Sequence, residues 1–179
     1  MRIIGGEKRG FKISGPPEVK ISGLKPMPDK VRESIFNILG QTLQGKDVLD
    51  LYAGTGAVGL EALSRGAKSA AFVEISKRTE ILIKENLNKL GFKAKVFRKD
   101  AGRFLKETRE KYDLIFITPP HEEIDFKTVE LAGKKIRGNG IVVLESSSKT
   151  NISSFEGLRV IDQRTYGRLK ITFLEKDLK

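Results

Sequence analysis

Two hydrophobic rhythms alternate along this chain. Short apolar runs at 48–51, 70–75, 94–97, 114–117 and 141–144 have the length and density of buried strands. The stretches 58–64, 78–90, 102–108 and 126–135 repeat their apolar positions at helical spacing. Alternation of strand and helix from Asp47 onward predicts an α/β fold with a doubly wound, mostly parallel sheet. The two ends break the rhythm. Segments 2–4 and 10–13 flank a Gly/Lys-rich turn and predict an N-terminal β-hairpin with basic edges. A Pro/Gly-rich connector runs from 15 to 28, and Asp29 is then placed to cap a helix whose apolar stripe is Val31, Ile35, Phe36, Ile38 and Leu39. Segments 158–164 and 169–175 meet through Tyr166-Gly167 and predict an antiparallel C-terminal hairpin that closes the sheet. The expected organisation is an extension, 1–28, and one domain, 29–179, without internal repeats.

Composition narrows the class. A chain of 179 residues is long enough to bury a sizeable core, and 39% hydrophobic with 32% charged residues is the balance of a soluble globular protein. No apolar run approaches the roughly 20 residues that span a bilayer. The first residues lack the apolar core of a signal peptide, so a cytoplasmic protein with no membrane contact is expected. Cysteine is absent and His121 is the single histidine. Disulfides, thiolate catalysis and cysteine-based or histidine-rich metal sites are therefore excluded. The formal charge of +11 favours a polyanionic partner, nucleic acid first, through counterion release. A lysine-rich solvated surface is the plainer explanation of the same charge.

The chemistry concentrates in Asp47-Val48-Leu49-Asp50-Leu51-Tyr52-Ala53-Gly54-Thr55-Gly56-Ala57-Val58-Gly59, which reads as strand, tight loop and helix. Gly54, Gly56 and Gly59 satisfy G-x-G-x-x-G, and Glu74 ends the next strand about 20 residues on, as in a dinucleotide fingerprint. An NAD-dependent oxidoreductase is one reading. Asp50, however, stands at the strand end, where it would repel a pyrophosphate, and the glycines come several residues after the strand. S-adenosylmethionine, with an ammonium and a sulfonium and no phosphate, suits the loop better. Asp50 then lies near the cationic methionyl end, and the backbone from Tyr52 and Ala53 through Gly54 and Gly56 lies along the cofactor. Glu74 receives the ribose hydroxyls with Ile75 beside it, and Asp100 with Ala101 receives the adenine amino group. Each acid also has a plainer use, as a helix cap or a loop acceptor.

These residues belong to a longer ordered set. It includes Arg2-Ile3-Ile4-Gly5-Gly6 with Arg9-Gly10, Asp29-Lys30-Val31-Arg32-Glu33-Ser34-Ile35-Phe36-Asn37-Ile38-Leu39, and Gly59-Leu60-Glu61-Ala62-Leu63-Ser64-Arg65-Gly66-Ala67. Phe72-Val73-Glu74, Asn86-Leu87, Asp100-Ala101, Tyr112-Asp113-Leu114-Ile115-Phe116 and Tyr166-Gly167 complete it. The set resembles the RsmD-type family of bacterial methyltransferases, which modify the exocyclic amino group of a guanine in 16S ribosomal RNA. The resemblance implies a class I S-adenosylmethionine-dependent methyltransferase (Rossmann-like) fold, S-adenosyl-L-methionine as cofactor, S-adenosyl-L-homocysteine as product and no metal. It also implies 16S rRNA as partner, free or within a small subunit or assembly intermediate, with the enzyme acting as a monomer.

One position departs from the family. Amino-group methyltransferases of this kind carry Asp-Pro-Pro-Tyr, or Asn for the Asp, after the fourth strand; this chain has Thr118-Pro119-Pro120-His121. In the family, the side-chain oxygen and the backbone carbonyl after it hold both amine hydrogens, and the aromatic residue stacks on the extruded base. Thr118 offers a hydroxyl but no carboxylate. Pro119 and Pro120 keep the turn rigid, and His121 retains a ring that can stack. Glu122, Glu123 and Asp125 are nearby acids that could substitute for the missing Asp, although the spacing selects none of them. Three outcomes stay open: Thr118 serves as acceptor, methyl transfer is weak or altered, or the chain is a cofactor-binding, RNA-binding homologue without transfer. Arg2, Lys8, Arg9 and Lys12 on the first hairpin, Arg32 in the helix after the connector, and Arg164 and Arg168 on the last hairpin form the expected basic rim for folded RNA. That rim requires both hairpins to lie beside the strand ends.

Overall fold

A computed structural model describes residues 1–15, 27–119 and 124–177. Five parallel strands, β1 (Asp47–Leu51), β2 (Ser69–Glu74), β3 (Lys95–Arg98), β4 (Tyr112–Ile117) and β5 (Ile136–Ser147), alternate with α2 (Ala57–Ser64), α3 (Lys77–Leu90), α4 (Ala101–Glu107) and α5 (Phe126–Lys135); α1 (Asp29–Leu39) precedes them. The chain then turns antiparallel through β6 (Ser154–Phe155), β7 (Leu158–Tyr166) and β8 (Leu169–Lys176). The strand order is β3-β2-β1-β4-β5-β8-β7-β6. The parallel strands are apolar nearly throughout because both faces are covered. Val48, Phe72, Phe116 and Val143 face α1, α2, α3 and the N-terminal segment; Leu49, Leu51, Ile115 and Val142 face α4 and α5. Chain order reverses between β1 and β4, which opens a ligand crevice at the carboxyl ends of those two strands. Among the described residues, no helix is long and apolar enough to cross a membrane.

The alternating pattern predicted the five parallel strands, the helices between them and the closing hairpin. At the N-terminal end one expectation holds and one needs correction. The predicted N-terminal hairpin is present: around an antiparallel Arg2–Lys12 bridge, the Ile3 amide donates to the Phe11 carbonyl at 3.0 Å, the Gly10 amide to the Ile3 carbonyl at 2.9 Å and the Ile13 amide to the Met1 carbonyl at 3.1 Å. The Ile4 and Gly5 amides, which lie outside that ladder, donate to the two oxygens of Glu61 at 2.8 and 2.7 Å and fasten the hairpin to α2. Asp29 does not cap α1: Pro28 holds the N-cap position without a side-chain bond. The Asp29 carboxylate turns to Arg32, 3.0 Å away. The sequence also gave no sign that β5 starts directly at the end of α5, well before residue 141, or that β6 exists.

Candidate active site

The glycine loop leaves β1 through Tyr52, whose φ of +60° is a left-handed backbone conformation that a side chain of this size rarely adopts. Gly54 and Gly56 follow at φ of +54° and +77°, where glycine carries no such penalty. The turn is closed by the Gly56 amide donating to the Ala53 carbonyl at 2.7 Å. Asp50 lies beneath the loop, 1% exposed. Its Oδ2 accepts the Gly59 amide at 2.9 Å, satisfying one of the free N–H groups in the first turn of α2. Its Oδ1 is buried with no hydrogen-bond partner. Burial, with Glu74 nearby, pushes the Asp50 carboxyl up to about 7, against the opposing bond from Gly59. A buried carboxylate oxygen without a partner calls for a cation or a donor from outside the chain.

Gly59 explains how α2 comes so close. A β-carbon there would meet the Phe72 ring at 2.3 Å and Asp50 Oδ2 at 3.1 Å. Glu74, at the end of β2, accepts the Gly54 amide at 2.9 Å and the Ser76 amide at 3.0 Å. It thus ties the loop to the next strand, and each oxygen keeps a lone pair for a hydroxyl. Ile75 beside it is 69% exposed. Asp100 caps α4 by accepting the Arg103 amide at 2.9 Å through Oδ1, which leaves Oδ2 open to an external donor. Ala101, the first residue of that helix, is buried. Tyr52 is half-buried, and burial raises its phenol above the usual value, with Asp100 and Asp125 adding to the rise.

At the end of β4, the Thr118 amide donates to the Leu51 carbonyl at 3.4 Å, and its hydroxyl reaches the Leu51 and Tyr52 carbonyls at 3.5 Å each. Thr118 and Pro119 are partly exposed at the crevice. Pro120, His121, Glu122 and Glu123 lie outside the described residues. Both oxygens of Asp125 are engaged at the start of α5, with the Lys127 amide and the Thr128 hydroxyl.

Glu145 on β5 was not among the residues singled out from the sequence. It sits on the same strand face as Val143, opposite Ile171 of β8, and burial alone pushes its carboxyl up to about 7. The available signal was a carboxylate ending an apolar run, as Asp50 and Glu74 do.

The seven basic residues do not form one rim. Arg164 and Arg168 flank the β7–β8 turn, exposed at the carboxyl edge, where Tyr166 reaches back to hydrogen-bond Ser34 of α1. Arg2 and Lys12 are exposed beside the glycine loop, where Met1 Sδ accepts the Thr55 hydroxyl at 4.0 Å. Lys8 and Arg9 lie at the far end of α2, where the Lys8 amide donates to Ser64 Oγ at 3.0 Å. An eight-residue helix, about 12 Å long, separates them from the loop. Arg32 is a correction: it is 0% exposed, so RNA cannot reach it. Its guanidinium is held inside by the Arg2 carbonyl at 2.6 Å, Asp29 at 3.0 Å and Glu61 at 3.7 Å.

A parallel sheet with its switch point at β1 and β4, a glycine loop, and acids at the ends of β1 and β2 define a protein of the class I methyltransferase fold. The sequence signature of the family described as "Conserved hypothetical protein 95" matches residues 1–175, and the chain belongs to this family, the RsmD type. The chain is 36% identical over 155 residues to ribosomal RNA small subunit methyltransferase D of Buchnera aphidicola, covering 84% of this chain and 80% of that protein. To the protein of the same name from Haemophilus influenzae it is 30% identical over 175 residues, covering 93% and 89%. The solved structure of yhhF from Escherichia coli superposes with a TM-score of 0.88 at 27% identity, covering 100% of this chain and 99% of that one.

Proposed function

We propose that this protein transfers a methyl group from S-adenosylmethionine to the exocyclic amino group of a guanine in small-subunit ribosomal RNA. The observation that carries the reading is the partnerless Oδ1 of Asp50 beneath the glycine loop, in a chain whose family relatives are named ribosomal RNA small subunit methyltransferases. S-adenosylmethionine, when bound, supplies a methyl group made electrophilic by its sulfonium. Asp50 would face the ammonium of its methionyl part, Glu74 the ribose hydroxyls, Ile75 and Ala101 the adenine faces, and the free oxygen of Asp100 the adenine amino group. The buried acid beneath the loop disfavours a pyrophosphate, which argues against the dinucleotide reading.

The residues of the chain then have defined tasks. Thr118 holds an amine hydrogen through its hydroxyl oxygen, while the rigid Pro119 turn fixes the approach of the base. Arg164 and Arg168 meet RNA phosphates beside the crevice. A second reading, cofactor and RNA binding with little transfer, is favoured by one observation: the Thr118 hydroxyl already points to the Leu51 and Tyr52 carbonyls. The deciding experiment is labelled methyl transfer onto small subunits that lack the modification, followed by digestion to nucleosides. Label in N2-methylguanosine is expected. Label in another nucleoside overturns the guanine assignment, and no label with S-adenosylhomocysteine still bound selects the second reading.

A further inference from the structure

Thr118 brings no carboxylate to the crevice, and β5 offers one beside it. β4 and β5 run parallel with Phe116 beside Val143 and Ile117 beside Leu144. One residue beyond that last pair come Thr118 and Glu145, on adjacent strands about 5 Å apart. By strand alternation both continue the face of Phe116 and Val143, the face that carries Asp50 on β1. On the far side, β8 places Ile171 opposite Glu145, and β7 places Arg164 opposite Ile171. A row therefore crosses the sheet edge from Arg164 through Ile171 and Glu145 to Thr118.

Among the described acids at this edge, Asp100 keeps one oxygen open but lies at the end of β3, three strands from β4, and the others are engaged by the chain. Glu74 accepts two amides, Asp125 serves α5 with both oxygens, and Asp50 is held under the loop on Gly59. Glu145 is partly buried and, among the described residues, makes neither a hydrogen bond nor an ion pair. Burying a carboxylate without compensation is costly, and nothing in the packing of β5 requires an acid there.

We propose that Glu145 is a catalytic residue, the proton acceptor for the target amine, filling from the neighbouring strand the role for which Thr118 has no carboxylate. The assignment rests on the amine-methylation reading above. Thr118 and Glu145 hold the two amine hydrogens from adjacent strands, which leaves the nitrogen lone pair free. As that pair forms the N–C bond, the C–S bond of the sulfonium donor breaks and its electrons stay on sulfur, giving a neutral thioether. The nitrogen, positively charged once it has three substituents besides its ring bond, releases one hydrogen as a proton to a Glu145 oxygen. Glu145 passes that proton to water when product leaves. A carboxyl whose affinity for a proton is raised by burial is better matched to this task than an ordinary surface acid.

The test compares wild type, Glu145→Gln, Thr118→Asp and the double variant in single-turnover methyl transfer onto unmodified small subunits. Affinities for S-adenosylhomocysteine and for the subunit are measured alongside. Glu145→Gln keeps the side-chain shape and is expected to slow transfer on the order of 100-fold, with both affinities unchanged. Thr118→Asp is expected to restore much of that loss in the Glu145→Gln background. Wild-type rate in Glu145→Gln overturns the assignment, as does a slower rate explained by weaker S-adenosylhomocysteine binding. The two levels fail separately: wild type without transfer to guanine overturns the function and this assignment with it. Active wild type with equally active Glu145→Gln overturns only the assignment.

Discussion

Replacing Asp50 with Asn should stabilise the ligand-free protein in a pH-dependent way and abolish cofactor binding. The Asp50 carboxyl is pushed from 3.8 to about 7 in the folded state, chiefly by desolvation. At 1.36 kcal/mol per unit, such a rise corresponds to about 4 kcal/mol of destabilisation once both states are ionised. Because the folded value lies above the unfolded one, the penalty is absent below about pH 3.8, grows as pH rises, and is complete above about 7. Between pH 5 and 8 the wild type should therefore lose about 2–3 kcal/mol relative to Asp50→Asn, most of it before pH 7. The Asn oxygen can keep the Gly59 amide, but its amide nitrogen is left unpaired at a cost of about 1–3 kcal/mol. That cost does not vary with pH, so the slope and not the offset is the test. Urea unfolding of both proteins at intervals from pH 5 to 8 measures it. A cation beside Oδ1 favours the ionised form, so wild-type affinity for S-adenosylhomocysteine should fall about tenfold per unit below pH 7, with proton release seen in calorimetry. Parallel stability curves for the two proteins would refute the reasoning.

Other substitutions probe the supports of the site. Gly59→Ala drives a β-carbon into the Phe72 ring and Asp50; despite better helix propensity it should cost about 1–3 kcal/mol in urea unfolding and weaken S-adenosylhomocysteine binding, and an unchanged midpoint would count against the close approach. Glu61→Leu leaves Arg32, Arg65 and the Ile4 and Gly5 amides without their shared acceptor. It should cost about 3–5 kcal/mol and speed hydrogen exchange at Ile4 and Gly5; retained protection would show that the N-terminal segment is held by its apolar contacts. Arg164→Ala and Arg168→Ala should each weaken RNA binding and reduce the salt slope by about 1, whereas an unchanged slope would remove that turn from the RNA surface.

The sheet was legible because parallel strands buried on both faces carry an apolar signature of their own, and the glycine loop because its residues answer to backbone geometry. The N-terminal end was less legible. Segments 2–4 and 10–13 pair as their composition predicts, but the anchoring of the Ile4 and Gly5 amides on Glu61 joins residues more than fifty positions apart and leaves no local signal. Arg32 failed as an RNA residue for the same reason. On a helix with charged neighbours an arginine looks exposed, and it is the Arg2 carbonyl with the buried acid on α2, both distant in sequence, that accompany Asp29 in turning it inward. A local clue existed: Glu61 stands in a helix whose other residues are small or apolar, and every residue of α2 is buried. An acid in such a stretch needs a cationic partner, and the chain offered Arg32 and Arg65.

Glu61 also shows what the unpartnered acids at the crevice mean. The fold surrounds that carboxylate with two backbone amides, the Arg65 guanidinium at 2.8 Å and Arg32 at 3.7 Å. A chain that can compensate one buried acid so fully could have done so elsewhere, or placed an apolar residue there at a gain in stability. It did neither at Asp50, which keeps one oxygen without a partner, nor at Glu145, which has none among the described residues. Both project from the same sheet face near its carboxyl edge, Asp50 on β1 and Glu145 on β5, with Thr118 at the end of β4 between them. Perturbed acids gathered at one edge are the mark of a site whose partners arrive from solution. Their chemistry divides by depth: the more deeply buried Asp50 suits a fixed positive charge, and the more accessible Glu145 suits a proton that must come and go.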